Sequence, residues 1–249
     1  MSAKEQFMEW ETVARSIAKH ELDSWKRLGP VKAVLEHESE AAAKGYIEYL
    51  TMFLKKEVIQ RLAAKNDMIG DAEPRMIHNI YTSPSSIRYI RHSYDLVKHC
   101  LDKHLNDVTI VEIGGGYGGM ALMTLEMASL LGLTIKNYII YDLPGVGELQ
   151  RFYLNKHGIA DRVQWNDCMS FGSDLNPSEK NVLFSSYSLS SLHPEYRDSY
   201  LRTILPVLKG GLLIWNGNHT TRALLPSPRY EIPEVPNTNA GGLNTVIRW

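Results

Sequence analysis

The chain has 249 residues, of which 44% are hydrophobic and 22% charged, so it is long enough for one α/β domain with an added helical segment. Its 27 basic and 28 acidic side chains leave a formal net charge of −1, which excludes the basic surface that general nucleic-acid binding requires. Two cysteines exclude a disulfide framework, and the sequence has neither a secretory signal nor an apolar run of the roughly 18 residues that a membrane span needs.

The first part of the chain predicts helices. Apolar residues recur at helical spacing from Phe7 to Ile17 and again from Tyr46 to Val58. Ser83 is a suitable cap and Pro84 a suitable first residue for a third helix, which we expect to run to about Lys103. We therefore assign residues 1–105 to a helical N-terminal segment and expect a cytoplasmic protein without a membrane span.

From residue 108 onward, short apolar runs alternate with helical ones. The predicted strands are Val108–Ile113, Tyr138–Tyr141, Val163–Trp165, Val182–Ser186, Leu212–Trp215 and Thr245–Trp249, and the predicted helices are Met120–Leu131, Val146–His157 and Pro194–Leu208. Such alternation predicts an α/β domain over residues 106–249, with a doubly wound, mostly parallel sheet and helices on both faces. Ligands of such sheets bind at the carboxyl ends of the strands, which is where we look for a site.

A glycine-rich loop, Gly114–Gly119, follows the first of these strands. Glycine lets the backbone turn tightly and approach a ligand closely. The same residues also fit the G-x-G-x-x-G dinucleotide fingerprint, so the glycines alone do not select a cofactor. Asp142 ends the next strand, where a carboxylate can accept hydrogen bonds from both hydroxyls of a ribose. Loop and acid together predict a cofactor that contains a nucleoside.

Several motifs resemble those of a known family. Glu112-x-Gly114-x-Gly116-x-Gly118 resembles the first motif of class I methyltransferases that use S-adenosylmethionine, and Tyr141–Pro144 resembles their ribose-binding motif. From about residue 80 to the end, the chain also resembles the sugar O-methyltransferases, in the segments Thr82–Tyr89, Ser185–Ser190 and Asn244–Trp249. That family often has an acid where this chain has Ser191.

The resemblance implies a Rossmann-like sheet of seven strands and transfer of a methyl group from S-adenosylmethionine to a hydroxyl of a sugar or glycan. Asp142 would hold the ribose, and Asp167 would contact the adenine beside Cys168. The cofactor-binding residues expected on this basis are Arg88, Glu112, Gly114, Gly115, Gly116, Tyr117, Gly118, Asp142, Leu143, Asp167, Cys168 and Ser186. Tyr81 and Tyr187 are the residues expected to contact the acceptor. Arg88 could equally be a surface charge, and Tyr81 a packing residue.

Removal of a proton from the acceptor hydroxyl requires a base, and histidine is the usual base near neutral pH. His193 follows the fourth strand and His219 follows the fifth, so both are candidates. His193 is also a common kind of polar residue at a helix start, and His219 could be an ordinary loop residue. We predict no metal site, because the sequence has no paired histidine motif and its loop aspartates are widely separated.

Three alternatives stay open at this point. One is an NAD-dependent oxidoreductase built on the same glycine fingerprint. Another is a methyltransferase that acts on a natural-product hydroxyl, and a third is a binding module of the same fold without activity. In the preferred interpretation, residues 1–105 cover the site and select the acceptor, and their apolar surface could support a homodimer.

Overall fold

The structure is a computed structural model that describes residues 3–217, 224–238 and 243–249. The chain forms two compact units. The helical unit comprises residues 1–94, 116–127 and 143–161, and the sheet unit comprises residues 95–115, 128–142 and 162–249. Each unit combines segments from separate parts of the chain. The units therefore do not test the predicted division at residue 105, which stays a prediction.

The helices of the first part of the chain are α1 (Ala3–His20), α2 (Gly29–Val34), α3 (Glu40–Leu50), α4 (Lys56–Asp67) and α5 (Pro84–Asp102). Four further helices follow: α6 (Gly119–Leu131), α7 (Pro144–Lys156), α8 (Ser188–Ser191) and α9 (Pro194–Ile204). The start of α5 is confirmed: the Ser83 hydroxyl accepts from the amide of Ser86, and Pro84 is the first helical residue. The prediction of two helices before Pro84 was wrong, because there are four. The run from Tyr46 to Val58 is interrupted at Lys55, whose extended backbone separates α3 from α4.

A short hairpin precedes α5 and was not predicted. Strand β1 (Arg75–Ile77) pairs antiparallel with β2 (Ile80–Thr82). Both residues of the two-residue turn, His78 and Asn79, have positive φ, which is the geometry that matches the twist of a tight hairpin. The prediction missed it because histidine at the first turn position is an unusual signal for this turn.

The sheet unit contains seven strands: β3 (Val108–Ile113), β4 (Ile135–Asp142), β5 (Val163–Asp167), β6 (Lys180–Ser186), β7 (Leu208–Trp215), β8 (Tyr230–Pro233) and β9 (Thr245–Arg248). Their order is β5-β4-β3-β6-β7-β9-β8, with β9 antiparallel to both its neighbours and the other pairs parallel. The order runs outward from β3 in both directions. This confirms the predicted α/β fold with a doubly wound, mostly parallel sheet of seven strands.

Strand β8 is the one strand of this sheet that the sequence analysis did not locate. All four of its residues are exposed, and it lies at the sheet edge, so it has no run of buried apolar residues like those of the central strands. Its pairing with β9 defines it.

The core of the sheet unit is formed by alternate residues of the strands packed against α9 (Pro194–Ile204). Val111, Leu183 and Leu213 occupy three neighbouring strands, and Tyr200 and Ile204 of α9 belong to the same apolar cluster. Burial of these side chains keeps the register of the strands, because a slip by one residue would expose them. In the described ranges, no helix is both long and apolar enough to cross a membrane.

Candidate functional site

The central feature of the sheet unit is the contact between the glycine loop and Asp142. The amide of Gly115 donates a hydrogen bond of 2.8 Å to Oδ2 of Asp142, and the amide of Gly114 donates to the carbonyl of Tyr141 at 3.0 Å. Gly114 has φ +78°, so glycine is required for the chain to leave β3 in this direction. The half-buried Asp142 carboxylate therefore faces the loop at the switch point of the sheet, where ligands bind in this fold.

Glu112 lies on β3, fully inside the sheet unit. Its Oε2 accepts from the hydroxyl of Tyr138 on β4 at 2.9 Å. Burial, with a smaller contribution from the nearby charge of Asp142, raises the pKa of Glu112 to about 8, although the hydrogen bond from Tyr138 opposes the shift. At neutral pH the side chain is therefore largely protonated and neutral, in contact with the strand rather than with solvent.

Asp167 ends β5 directly beside the end of β4. Asp142 and Asp167 are partners in the parallel register, so the two carboxylates leave the sheet at the same edge. Oδ1 of Asp167 accepts from the amide of Met169, which closes a short turn over Cys168–Ser170. The carbonyl of Cys168 accepts from the hydroxyl of Tyr200 at 2.7 Å. Asp167 is exposed and Cys168 half-buried, which leaves both beside the open edge.

The turn after β6 packs directly against the glycine loop. Ser185 donates to the carbonyl of Ile113 at 2.8 Å and accepts from the amide of Leu189. A Cβ atom on Gly114 would lie 1.9 Å from the hydroxyl of Ser188. Ser186, half-buried, is the last residue of β6. A hydrogen bond and close packing thus hold the end of β6 against the start of the loop within the sheet unit.

Tyr187 occupies a strained position at the beginning of this turn. Its φ is +63°, a region that non-glycine residues seldom adopt and that is concentrated at functional sites. Its amide donates to the carbonyl of Ile214, and its own carbonyl accepts from the hydroxyl of Ser190. The backbone of Tyr187 is thereby held in place from both sides.

The hydroxyl of Tyr187 donates to a buried carboxylate that the sequence analysis missed. It lies 2.6 Å from Oε1 of Glu234, which is 3% exposed. Oε2 of Glu234 accepts from the amide nitrogen of Asn244 at 2.9 Å and from Thr238 at 3.1 Å. Asn244 belongs to the Asn244–Trp249 segment that resembles the sugar O-methyltransferases. Glu234 lies in a proline-rich segment without a recognisable pattern. Nothing in the local sequence pairs it with Tyr187.

Of the two predicted histidines, the structure describes only His193. His193 is exposed and precedes the first residue of α9, where its side chain makes no capping hydrogen bond. Its ring lies beside Tyr196, with 6.2 Å between centroids. His219 lies outside the described residues. Within the part of the chain that the structure describes, no three histidine, cysteine, aspartate or glutamate residues lie close enough together to hold a metal ion.

In the helical unit, the later glycines of the loop pack against protein side chains. A Cβ on Gly116 would meet Leu35 at 3.0 Å, one on Gly118 would meet Leu154 at 3.2 Å, and one on Gly119 would meet the ring of Tyr117 at 2.7 Å. Close packing therefore accounts for these glycines without a ligand. The residues that support a cofactor site are therefore Asp142 and those at the ends of the strands.

Tyr117 is fully buried in the helical unit. Its ring packs edge-on against Trp25 and Tyr153, each with 4.9 Å between centroids. Its hydroxyl accepts from the amide nitrogen of Asn66 at 3.0 Å. The side chain thus belongs to a core of aromatic and polar residues.

The other predicted residues of the helical unit also have protein partners. Arg88 is 5% exposed, donates to the carbonyl of Leu35 at 2.8 Å and lies 3.6 Å from a carboxylate oxygen of Glu38. The carbonyl of Leu143 accepts from the amides of Val146 and Gly147 in α7. Tyr81 is 54% exposed and lines a cavity of about 580 Å³.

A buried polar cluster in the helical unit explains the Thr82–Tyr89 segment. Asp67 accepts from the hydroxyls of Ser83 and Ser86 at 2.6 Å each, and Ser86 also accepts from Asn66. Lys26 is fully buried and donates to the carbonyl of Asn66 at 2.6 Å. Burial lowers the pKa of Lys26. The sequence analysis missed Lys26, Asn66 and Asp67, because their partners lie far away along the chain.

No protein-family model and no curated protein sequence matches the chain. Solved structures similar to it include an S-adenosylmethionine-dependent methyltransferase from Clostridium acetobutylicum, at 15% identity over 59% of this chain and 58% of that one, with a TM-score of 0.40. The mitomycin 7-O-methyltransferase MmcR is 16% identical over 96% of this chain and 68% of that one, with a TM-score of 0.43. A geranyl diphosphate methyltransferase is 13% identical over 51% and 48%, with a TM-score of 0.40. The chain thus spans less than two thirds of the first of these proteins. With TM-scores below 0.5, the evidence for the fold is the strand order of the sheet.

Proposed function

We propose that this chain binds S-adenosylmethionine and transfers its methyl group to a hydroxyl of a sugar or glycan. The observation that supports this most directly is the hydrogen bond from Gly115 to Asp142, at the carboxyl ends of β3 and β4. It holds a carboxylate at the switch point, where a ribose can donate to it. In this proposal Gly114 and Gly115 lie along the cofactor, Asp142 holds the ribose and Asp167 contacts the adenine.

The residues at this edge fit the adenosine part of a cofactor. Asp142 and Asp167 are neighbours in register and contribute two carboxylates to the same edge. Ribose and adenine are common to S-adenosylmethionine and NAD, so these two side chains do not choose between them. The preference for S-adenosylmethionine rests on the resemblance of the motifs at Glu112–Gly118 and Tyr141–Pro144.

When bound, the cofactor supplies a methyl group that is activated by a positively charged sulfur. The chain must then hold the acceptor oxygen close to that carbon, and positioning of this kind accounts for several kcal/mol of a reaction barrier. It must also accept the proton of the acceptor hydroxyl. His193 and His219 are the residues predicted from sequence for that task.

The sugar acceptor rests on the polar character of the site and on the resemblance to sugar O-methyltransferases. Ser186 ends β6 and Tyr187 begins the turn after it, both half-buried, and Asn216 follows the neighbouring strand β7. Hydroxyl and amide groups of this kind match the hydroxyls of a sugar ring, whereas a natural-product acceptor would call for a more apolar lining.

Calorimetric titration tests the cofactor. We expect S-adenosylmethionine and S-adenosylhomocysteine to bind the whole chain, and NAD to give no heat of binding at the same concentrations. Binding of NAD instead would support the oxidoreductase. Release of S-adenosylhomocysteine is then measured with methyl α-glucopyranoside, methyl α-galactopyranoside, methyl α-mannopyranoside and UDP-glucose as acceptors. Binding of the cofactor without release above the acceptor-free rate would contradict a sugar substrate.

A further inference from the structure

We propose that the acceptor proton is received by Tyr187 and Glu234 acting as a pair, and not by a histidine. This inference rests on the proposed function and identifies the residues that its chemistry requires. It starts from the 2.6 Å hydrogen bond between the Tyr187 hydroxyl and Oε1 of Glu234, both in the sheet unit.

Glu234 lies at the correct edge of the sheet. Strand β8 is antiparallel to β9 and β9 is antiparallel to β7, so β8 runs in the same direction as β7. Pro233 and Trp215, the last residues of β8 and β7, both pair with Thr245. Glu234 therefore follows its strand at the edge where the parallel strands end and where the ligand of this fold binds.

Tyr187 brings this carboxylate to the cofactor loop. It directly precedes Ser188, whose hydroxyl occupies the space next to Gly114. Its backbone is fixed at a positive φ by hydrogen bonds to Ile214 and Ser190. Tyr187 as a whole is half-buried, so the residue keeps some exposed surface while its hydroxyl contacts Glu234. Maintaining a strained backbone in such a place is typical of residues that take part in function.

The hydrogen bonds around Glu234 suit an ionised carboxylate. Oδ1 of Asn244 accepts from the amide of Gly217 at 2.9 Å, which orients the side-chain nitrogen of Asn244 toward Glu234. The hydroxyls of Tyr187 and Thr238 also lie within hydrogen-bond distance of Glu234 and 3.1 Å from each other, and a carboxylate can accept from all three groups at once. A buried negative charge is costly unless it is paired in this way, and ionisable groups in such places are often functional.

The proposed step balances as follows. The acceptor hydroxyl gives its proton to the Tyr187 oxygen, while the Tyr187 hydroxyl gives its own proton to Oε1 of Glu234. The acceptor oxygen forms the new bond to the methyl carbon, the bond between that carbon and sulfur breaks, and its electron pair remains on sulfur. Tyr187 is the residue that touches the acceptor, and Glu234 acts through it.

The test uses Glu234→Gln and Tyr187→Phe, with Glu231→Gln as the matched control. Glu231 lies on β8, three residues before Glu234, is exposed and forms an ion pair with Arg229. We expect both test variants to lower the rate of S-adenosylhomocysteine release by roughly 100-fold or more. Their affinity for S-adenosylhomocysteine should stay close to that of the wild type. Their melting temperature should fall by only a few degrees, because one buried hydrogen bond is weakened. Glu231→Gln should keep the full rate.

A second readout needs neither cofactor nor acceptor. In protein labelled with ¹³C at the ring carbon that bears the tyrosine hydroxyl, the signal of Tyr187 is the one missing from Tyr187→Phe. We expect Glu234→Gln to shift that signal and Glu231→Gln to leave it in place. An unmoved signal would overturn the pairing, whatever the activity of the variant.

The remaining outcomes are also decisive. Full turnover of Glu234→Gln, above all if His193→Ala is inactive, would assign the proton to the histidine. Parallel losses of turnover, cofactor affinity and melting temperature, in Glu234→Gln and also in the more conservative Glu234→Asp, would show a purely structural network. Absence of cofactor binding in the wild type would instead refute the proposed function, and the inference would fall with it.

Discussion

Oδ2 of Asp142 accepts a hydrogen bond of 2.8 Å from the amide of Gly115, across 27 residues of sequence. The bond joins the ends of two neighbouring parallel strands, β3 and β4. It holds the carboxylate beside the loop and leaves it half-buried, as a ribose-binding acid needs to be.

Replacing Asp142 by alanine should weaken cofactor binding. A hydrogen bond to a charged group contributes about 1.5–3 kcal/mol, so loss of the carboxylate should raise the Kd for S-adenosylhomocysteine by at least about tenfold. Titration calorimetry measures the effect. Asp161→Ala, at an exposed turn, serves as the control and should bind normally. Unchanged affinity in Asp142→Ala would remove the ribose assignment.

Two glycine substitutions should separate backbone strain from crowding. Gly114 and Gly132 have nearly the same φ, +78° and +79°, but a Cβ on Gly114 would lie 1.9 Å from Ser188, whereas nothing lies within 4 Å of one on Gly132. We expect Gly132→Ala to cost about 1–2 kcal/mol of unfolding free energy and Gly114→Ala clearly more. Urea denaturation compares the two variants, and equal costs would show that the loop moves freely away from Ser188.

Asn66 should be important for the stability of the helical unit. Its side chain bonds to Ser86, Tyr117 and Tyr153, all of them buried. Asn66→Ala removes three hydrogen bonds to buried groups and should lower the unfolding free energy by about 3 kcal/mol, measured by urea denaturation. Asn155→Ala, on the exposed side of α7, should change it by less than about 0.5 kcal/mol. Similar values for the two variants would contradict the importance of the Asn66 contacts.

The buried Glu112 should make stability depend on pH. Its pKa is raised from 4.5 to about 8 in the folded chain, so its protonated form favours folding. That contribution is present below pH 4.5 and is lost as the pH rises to 8, at up to about 1.4 kcal/mol per pH unit. Relative to the wild type, Glu112→Gln should therefore become progressively more stable between pH 5 and pH 8. A constant difference in unfolding free energy across that range would show that Glu112 does not titrate in this way.

Local patterns predicted the sheet well where burial gives a strand an apolar run. Val108–Ile113 was predicted with its observed bounds, and helices that start at Pro84, Pro144 and Pro194 were located to within a few residues. Strand β8 was missed because it is exposed, and the hairpin of β1 and β2 because its turn uses histidine. In each case the missing information was a pairing partner, which local sequence does not contain.

The glycine loop also shows how little local sequence says about tertiary contacts. The sequence predicted that bare backbone between Gly114 and Gly119 would face a ligand. In the structure, Ser188, Leu35 and Leu154 occupy the space beside three of these glycines. A glycine signals that something approaches closely, but only the folded chain shows whether that neighbour is a ligand or a side chain.

By itself, the sequence determined the alternation of strands and helices, and therefore a parallel sheet with Asp142 and Asp167 at its carboxyl edge. These features follow from hydrophobic periodicity and from the direction of neighbouring strands, which short segments encode. Only the tertiary structure joined Tyr187 to Glu234, 47 residues away, and Asn66 to Tyr117, 51 residues away. Such contacts depend on how distant segments pack, because a hydrogen bond reaches about 3 Å in space whatever the separation along the chain.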